Sequence, residues 1–171
     1  MTAPAGENVT RGVAEYLNSL PADAARAALA RCCGAVRWVA AMLADRPFKS
    51  DTALLETAER AWWGLGREDW LQAFARHPRI GARTADQWSR GEQAGVDAAT
   101  AATRTALAEG NRAYEERFGH VFLICAAGRA ADELLGELHR RLANDPATEL
   151  GIAAGEQAKI IRLRLGKLAT R

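Results

Sequence analysis

Val121-Phe122-Leu123-Ile124-Cys125 is the one run in this chain that reads as a β-strand, and its isolation decides the fold class. A strand has to pair, and no second run of this kind exists to pair with it. The segment is therefore expected to be a buried extended or helical piece of an otherwise helical protein. Before it, a long helical pattern covers about 91–117, with a break expected near Glu109-Gly110, and an irregular stretch at 80–88 precedes that. Pro78 stops a short helix at 68–76, and Ser50 or Asp51 can cap another at 52–65 that ends near Gly64 and Gly66. A helix at 35–44 stops before Arg46-Pro47, Pro21 opens one running to 30, and Asn8 or Thr10 can cap a first helix to about 20. After the run, 129–142 reads as helix, and Asp145 caps a last helix with Pro146 at its first position, running to about 168. The expectation is an all-α fold: a single compact domain of about eight helices over 1–171, with about 1–8 flexible.

Composition agrees with a folded helical protein. The chain has 171 residues, 49% hydrophobic and 26% charged, which is enough apolar matter for one core and too much for disorder. Alanine makes up roughly a fifth of it, which favours helix. The formal net charge of +2 offers no electrostatic case for nucleic acid or an anionic membrane as partner. No apolar run is long enough to cross a bilayer. The first ten residues do not read as a secretory signal, and Ala169-Thr170-Arg171 is not a peroxisomal address. Cys32, Cys33 and Cys125 are odd in number with two adjacent, which argues against a disulfide framework and for a reducing, cytoplasmic setting.

Several familiar chemistries lack their residues. His77, His120 and His139 are far apart, and there is no Cys-x-x-Cys or His-Glu-x-x-His, so no metal site is expected. No glycine-rich phosphate loop and no Gly-x-Ser-x-Gly elbow occurs.

Four features remain. In Arg76-His77-Pro78-Arg79-Ile80-Gly81 a histidine sits at a helix end where proline forces a turn; it either points into a cleft as an acid–base group or caps the helix toward solvent. In Ser89-Arg90-Gly91-Glu92-Gln93 the Ser and Glu three apart either form a capping box or offer a carboxylate and polar neighbours to a ligand. On the last helix, at 100° per residue, Leu150, Ala154, Ala158, Ile161, Leu165 and Leu168 share an arc of about 80°. Ile160 lies beyond its edge, with Arg164 between them and Gln157 next to Arg164, whereas Lys159, Arg162 and Lys167 point to a solvated face. An inward Arg164 needs an anion: a ligand, or an internal partner such as Glu149 or Asp132. Finally, Phe118-Gly119-His120 leads into the apolar run, which is either plain core or a backbone surface for a ligand.

Taken in order, His77-Pro78-Arg79-Ile80-Gly81, Ser89-x-x-Glu92-Gln93, Phe118-Gly119-x-x-Phe122-Leu123-Ile124-Cys125, Arg141-Leu142-x-Asn144, Glu149 and Lys159-Ile160-x-x-Leu163-Arg164-Leu165 resemble the 2-oxo-4-hydroxy-4-carboxy-5-ureidoimidazoline (OHCU) decarboxylase family. The resemblance runs from about 17 to the C-terminus. It implies an all-α carboxy-lyase of urate degradation that forms (S)-allantoin without a cofactor or metal, often as a homodimer, and works alongside urate oxidase and hydroxyisourate hydrolase. The short spacing from His77 to Glu92 looks like that of bacterial-type members. By the same resemblance His77 and Glu92 are the catalytic pair. Pro78, Ser89, Gln93, Arg164 and the segment Phe122, Leu123, Ile124, Cys125 and Ala126 would bind the ureidoimidazoline. His120 departs from the pattern, which leads one to expect an apolar or aromatic residue there. Two other readings compete: a small helical regulatory or interaction module, supported by composition alone, and a lyase or hydrolase acting on a related ureide.

Overall fold

In a computed structural model, residues 11–169 are described, and within them the chain forms nine α-helices and no β-strand. The expected flexible segment at 1–8 and the expected caps Asn8 and Thr10 lie outside the described residues. The helices are α1 (Val13–Ser19), α2 (Ala22–Cys32), α3 (Val36–Ala44), α4 (Asp51–Trp63), α5 (Arg67–Phe74), α6 (Gln87–Glu92), α7 (Ala101–Phe118), α8 (Ala131–Arg141) and α9 (Pro146–Lys167).

Local signals set most boundaries. Ser50 caps α4 by accepting from the Ala53 N–H at 3.1 Å. Asp145 caps α9 by accepting from the Thr148 N–H at 3.0 Å, with Pro146 at the first helical position. The start of α1 is held from outside: Asp51, in the first turn of α4, accepts from the Ala14 N–H at 2.8 Å. Asp51→Ala is expected to lower stability by about 1 kcal/mol, the usual worth of a helix cap. Chemical denaturation would show it, and an unchanged midpoint would mean the contact contributes nothing.

The long helix expected at 91–117 is two helices. Asp86 accepts from the Ser89 N–H at 2.7 Å and starts α6. A 3-10 turn, Ala94–Val96, follows, and Thr100 caps α7 through the Thr103 N–H at 3.1 Å. Gly95 lets this turn pack on the segment before α8: a Cβ there would lie 2.0 Å from the Arg129 carbonyl oxygen. The break expected near Gly110 is absent. α7 runs through it, and a Cβ at Gly110 would lie 2.5 Å from Leu138 Cδ2, which marks the close approach of α7 to α8.

Two apolar clusters form the core. One gathers α1 to α5 and α9 around Trp38, Trp62, Phe74 and Leu165. The other gathers α7 and α8 around Leu107, Tyr114, Leu134 and Leu138. The indole N–H groups of Trp38 and Trp62 donate to the Ala58 and Ala154 carbonyls at 3.1 and 2.9 Å, so their burial leaves no orphan donor. The strand-like run lies between the clusters. Val121, Leu123 and Cys125 pack on the first, whereas Phe122, Ile124 and Ala126 pack on the second. This alternation is that of an extended chain buried on both faces, which is why the run looks like a strand and needs no partner strand. His120 packs against Tyr114 (5.5 Å between centroids), Phe118 (6.3 Å) and Phe74 (5.3 Å), so it does there what an aromatic residue would do. Burial holds its pKa below the ordinary value and favours the neutral ring.

Candidate active site

α5 ends in a tight turn, with Arg76 and His77 N–H groups donating to Ala73 and Phe74 carbonyls, and Pro78 prevents any continuation. The His77 ring leaves this turn inward. Its Nε2 lies 2.8 Å from Oε1 of Gln157, a fully buried residue of α9. With that oxygen accepting, Nε2 carries the proton and Nδ1 keeps its lone pair. Gln157 Nε2 is buried and has no partner among the described residues. Burial, and then the positive charge of Arg164, push the His77 pKa down to about 4, against the opposing pull of the Gln157 bond and the Glu92 charge. His77 is therefore neutral at pH 7.

Glu92 and Ser89 come from α6. Both are buried, and Ser89 is the third residue of the helix rather than its cap, so the expected capping box does not form. Asp86 takes the capping role, and the Ser89 hydroxyl, bonded to the Asp86 carboxylate, presents its oxygen to Arg164 of α9. Arg164 meets both residues. Its Nε and Nη2 donate to the two Glu92 oxygens at 2.9 Å each, Nη2 also donates to Ser89 Oγ at 3.2 Å, and Nη1 donates to the Arg31 carbonyl at 3.3 Å. The internal partner of Arg164 is thus Glu92, whereas Glu149 is taken by Arg141. Lys167, expected on a solvated face, turns in to Glu92 Oε1 at 3.0 Å and lies 5.7 Å from the Trp88 ring centroid. Burial opposes ionisation of Glu92, but the hydrogen bonds and charge of Arg164 and then of Lys167 outweigh it, and its pKa lies below the ordinary carboxylate value.

Gln93 ties the other side of the site. Its Oε1 accepts from the Gly81 N–H at 2.9 Å, and Gly81 has φ +83°, a conformation glycine adopts without strain. His77, Pro78, Ile80, Ser89, Glu92, Gln93, Phe122, Leu123, Ile124, Ala126 and Ile160 enclose a cavity of about 20 Å³. That is room for about one water. A wider cavity of about 400 Å³ shares Ser89 and Gln93 with it and carries Arg83, Arg90 and Arg104 on its walls, so a cationic vestibule adjoins the inner site.

The structure gathers nearly all the residues singled out in the sequence. Cys125 and Arg164 are the two that do not line the inner cavity. Cys125 packs toward the other cluster while its N–H donates to Glu156 Oε2 at 2.8 Å, and Arg164 stands behind Glu92 and Ser89. Gln157, Lys167, Ile80 and Ile160 were missed. Periodicity had already set Gln157 next to Arg164, two helical turns before it on one face, but that placement alone did not mark it as a partner of His77. Among the described residues no group of three His, Cys, Asp or Glu side chains gathers as a metal site would require. No helix among them is long and apolar enough to cross a membrane. The thiols of Cys32 and Cys33 are pushed up to about 12, chiefly by burial, so neither supplies a thiolate.

Residues 18–166 match the family model described as OHCU decarboxylase. The chain is 39% identical over 146 residues to the uric acid degradation bifunctional protein of Arabidopsis thaliana, covering 80% of this chain and 45% of that one. It is 44% identical over 92 residues to the 2-oxo-4-hydroxy-4-carboxy-5-ureidoimidazoline decarboxylase of Amia calva, covering 53% and 51%. The chain thus spans about half the length of these two relatives. A crystal structure of OHCU decarboxylase in the presence of (S)-allantoin superposes with a TM-score of 0.75 at 39% identity, covering 83% of this chain and 96% of that one.

Proposed function

Since this chain belongs to the OHCU decarboxylase family, we propose that it removes CO₂ from 2-oxo-4-hydroxy-4-carboxy-5-ureidoimidazoline and forms (S)-allantoin. The observation that carries the reading is the convergence of a neutral His77 and an ionised Glu92 on one cavity, each held by a buried residue of α9.

The chemistry suits these groups. Breaking the bond between the carboxylate and the hydroxyl-bearing carbon releases an electron pair. That pair forms a double bond to the ureido-bearing carbon, whose C=N electrons move onto the ring nitrogen, and the nitrogen takes a proton. The hydroxyl then loses its proton and becomes a carbonyl as the ureido-bearing carbon gains one. The ring itself is the electron sink. Neutral His77 is the base for the hydroxyl proton, and delivery of a proton to one face of the ureido-bearing carbon gives the (S) product. Glu92, fixed by two cations, orients the ring, and the buried Gln157 holds the His77 ring in its orientation. Arg164 engages the substrate only by exchanging one of its bonds to Glu92, Ser89 or Arg31 for one to the ligand. A tight grip on the departing carboxylate would stabilise the ground state and slow the reaction. Pro78, Ser89, Gln93 and the backbone of Phe122 to Ala126 shape the remaining walls.

The test is a coupled assay. Urate oxidase and hydroxyisourate hydrolase generate the unstable ureidoimidazoline from urate, and the chain is then added. Faster loss of ultraviolet absorbance together with a dichroic (S)-allantoin signal supports the reading, because the spontaneous product is racemic. No acceleration by a folded sample overturns it and turns attention to related ureides. The same proposal includes a cytoplasmic setting, bacterial-type membership, supply of substrate by those two enzymes, and a homodimer. Trp63, 46% exposed beside an apolar groove between α4 and α9, is a surface that favours self-association.

The lowered pKa of His77 has a sign that can be checked. The ring stays unprotonated in the folded enzyme until pH approaches about 4, whereas an unfolded chain takes up the proton near 6.5. The contribution of His77 to stability is therefore complete above 6.5 and declines as pH falls toward 4. The kcat/KM of the free enzyme is expected to stay flat through pH 6.5 and to break nearer 4. An acid limb centred at 6.5 would show a solvated imidazole instead.

A further inference from the structure

Arg141 is the most deeply buried cation among the described residues, 1% exposed, and it lies outside the cavity. Its guanidinium makes bonds in two directions. Nε and Nη2 donate to Oε1 of the fully buried Glu149 at 2.7 and 2.5 Å, and Nη1 donates to the Leu123 carbonyl at 2.8 Å. Glu149 is further satisfied by the Tyr114 hydroxyl at Oε1 and by Asn144 Nδ2 at Oε2, 2.9 Å away. The guanidinium carbon also lies 4.7 Å from the centroid of Phe122.

This cluster meets the cavity through the extended strip, since it touches Leu123 and Phe122 and both line the cavity. Among the described residues no neighbouring strand supports that strip, and side chains hold its backbone: Arg141 of α8 takes the Leu123 carbonyl, and Glu156 of α9 takes the Cys125 N–H. In an extended chain the backbone groups of successive residues point to opposite sides. With residues 123 and 125 tied, the N–H and C=O of Ile124 face the other way. Ile124 lines the cavity, and its N–H and C=O have no partner among the described residues. A buried ion pair is weak evidence for stability, since an apolar cluster of equal volume does as well. What an arginine adds is a directed bond to one chosen carbonyl, made while its other edge is braced by Glu149.

We infer that Arg141 is a positioning residue that sets the rotation of the strip, so that the Ile124 backbone presents its donor and acceptor to the ring of the ligand. The inference rests on the decarboxylase reading for the identity of that ligand. It is tested by Arg141→Lys, which keeps the charge but cannot bridge Glu149 and Leu123 O with the same fork. The comparison is Tyr114→Phe, which removes a bond to the same Glu149 and the 3.4 Å bond from Arg141 Nη2 to the Tyr114 hydroxyl, and leaves the Leu123 bond in place. Below the melting temperature of both variants, Arg141→Lys is expected to raise KM and the Kd for (S)-allantoin about tenfold or more with kcat within about threefold, and Tyr114→Phe to leave both constants within about twofold. Equal shifts in the two variants, or none in Arg141→Lys, overturn the inference and leave a purely structural ion pair. The ¹⁵N–¹H signal of Ile124 gives a second readout that needs no ligand. It should move in Arg141→Lys and hold in Tyr114→Phe, and an unmoved signal overturns the inference whatever the activity. If Arg141→Lys does not fold, Arg141→Met with Glu149→Leu leaves no buried charge and carries the same two measurements. Failure of the wild-type chain in the coupled assay would count against the decarboxylase reading alone, since the Ile124 signal still judges Arg141.

Discussion

Replacing His77 with alanine is expected to lower turnover about 10²-fold or more, the usual worth of a positioned acid–base group. The loss should fall on kcat more than on KM, because the cavity walls contributed by Pro78, Ile80 and the strip remain. His77→Asn is the sharper variant, since it keeps a polar group near Gln157 Oε1, which His77 contacts at 2.8 Å, and so separates loss of basicity from loss of the hydrogen bond. Both variants should retain helical circular dichroism. The coupled assay would record slow decay with a racemic product. A variant that still forms (S)-allantoin at near wild-type rate would remove His77 from the mechanism and shift attention to Glu92.

The second large effect is expected on folding. Glu92 and Arg164 have side chains only 9% and 10% exposed, and Lys167 shares the same carboxylate. Glu92→Ala leaves two cations facing each other without their anion, and breaking a buried pair in this way costs about 3–5 kcal/mol. Glu92→Ala combined with Arg164→Met should recover much of that, because the remaining charge at Lys167 is partly exposed and can reach water. Urea denaturation of the two single variants and the double variant measures the coupling. A double variant as unstable as the sum of the singles would show that the pair does not act as a unit. Acid should imitate the single change. The Glu92 pKa lies below its ordinary 4.5, so the carboxylate's contribution is complete above that value and is lost as pH falls below it.

Glu92 also shows how far sequence reasoning reaches. Its spacing from Ser89 suggested a capping box, a local pattern that competes with any long-range one. Asp86 won the cap because it lies three residues before Ser89 and reaches its N–H, which released Ser89 and Glu92 to a helix more than seventy residues away. The reading of α9 fared differently. Periodicity alone turned Arg164 inward, since a helix of fixed pitch carries each side chain at a known angle. The same pitch puts Lys167 about 20° from the buried Ile160 and about 60° from Arg164, so the outward reading of Lys167 failed against periodicity itself, and its reach to Glu92 follows from its place beside that inward face.

What the sequence by itself determined is local: the helical class, the caps at Ser50 and Asp145, the turn after His77, the solitary extended run, and the inward face of Arg164. These follow from propensity, proline and glycine geometry and side-chain periodicity, all of which act within a few residues. Only the tertiary structure decided that α7 starts afresh at Thr100, that the extended run is shared by two apolar clusters, that His77 meets Gln157, and that Arg164 chooses Glu92 while Arg141 takes Glu149. Each of those outcomes is a choice among several partners of similar chemistry. The choice is made by which surfaces the packed helices bring within about 3 Å, the reach of a hydrogen bond, and no local preference encodes that distance.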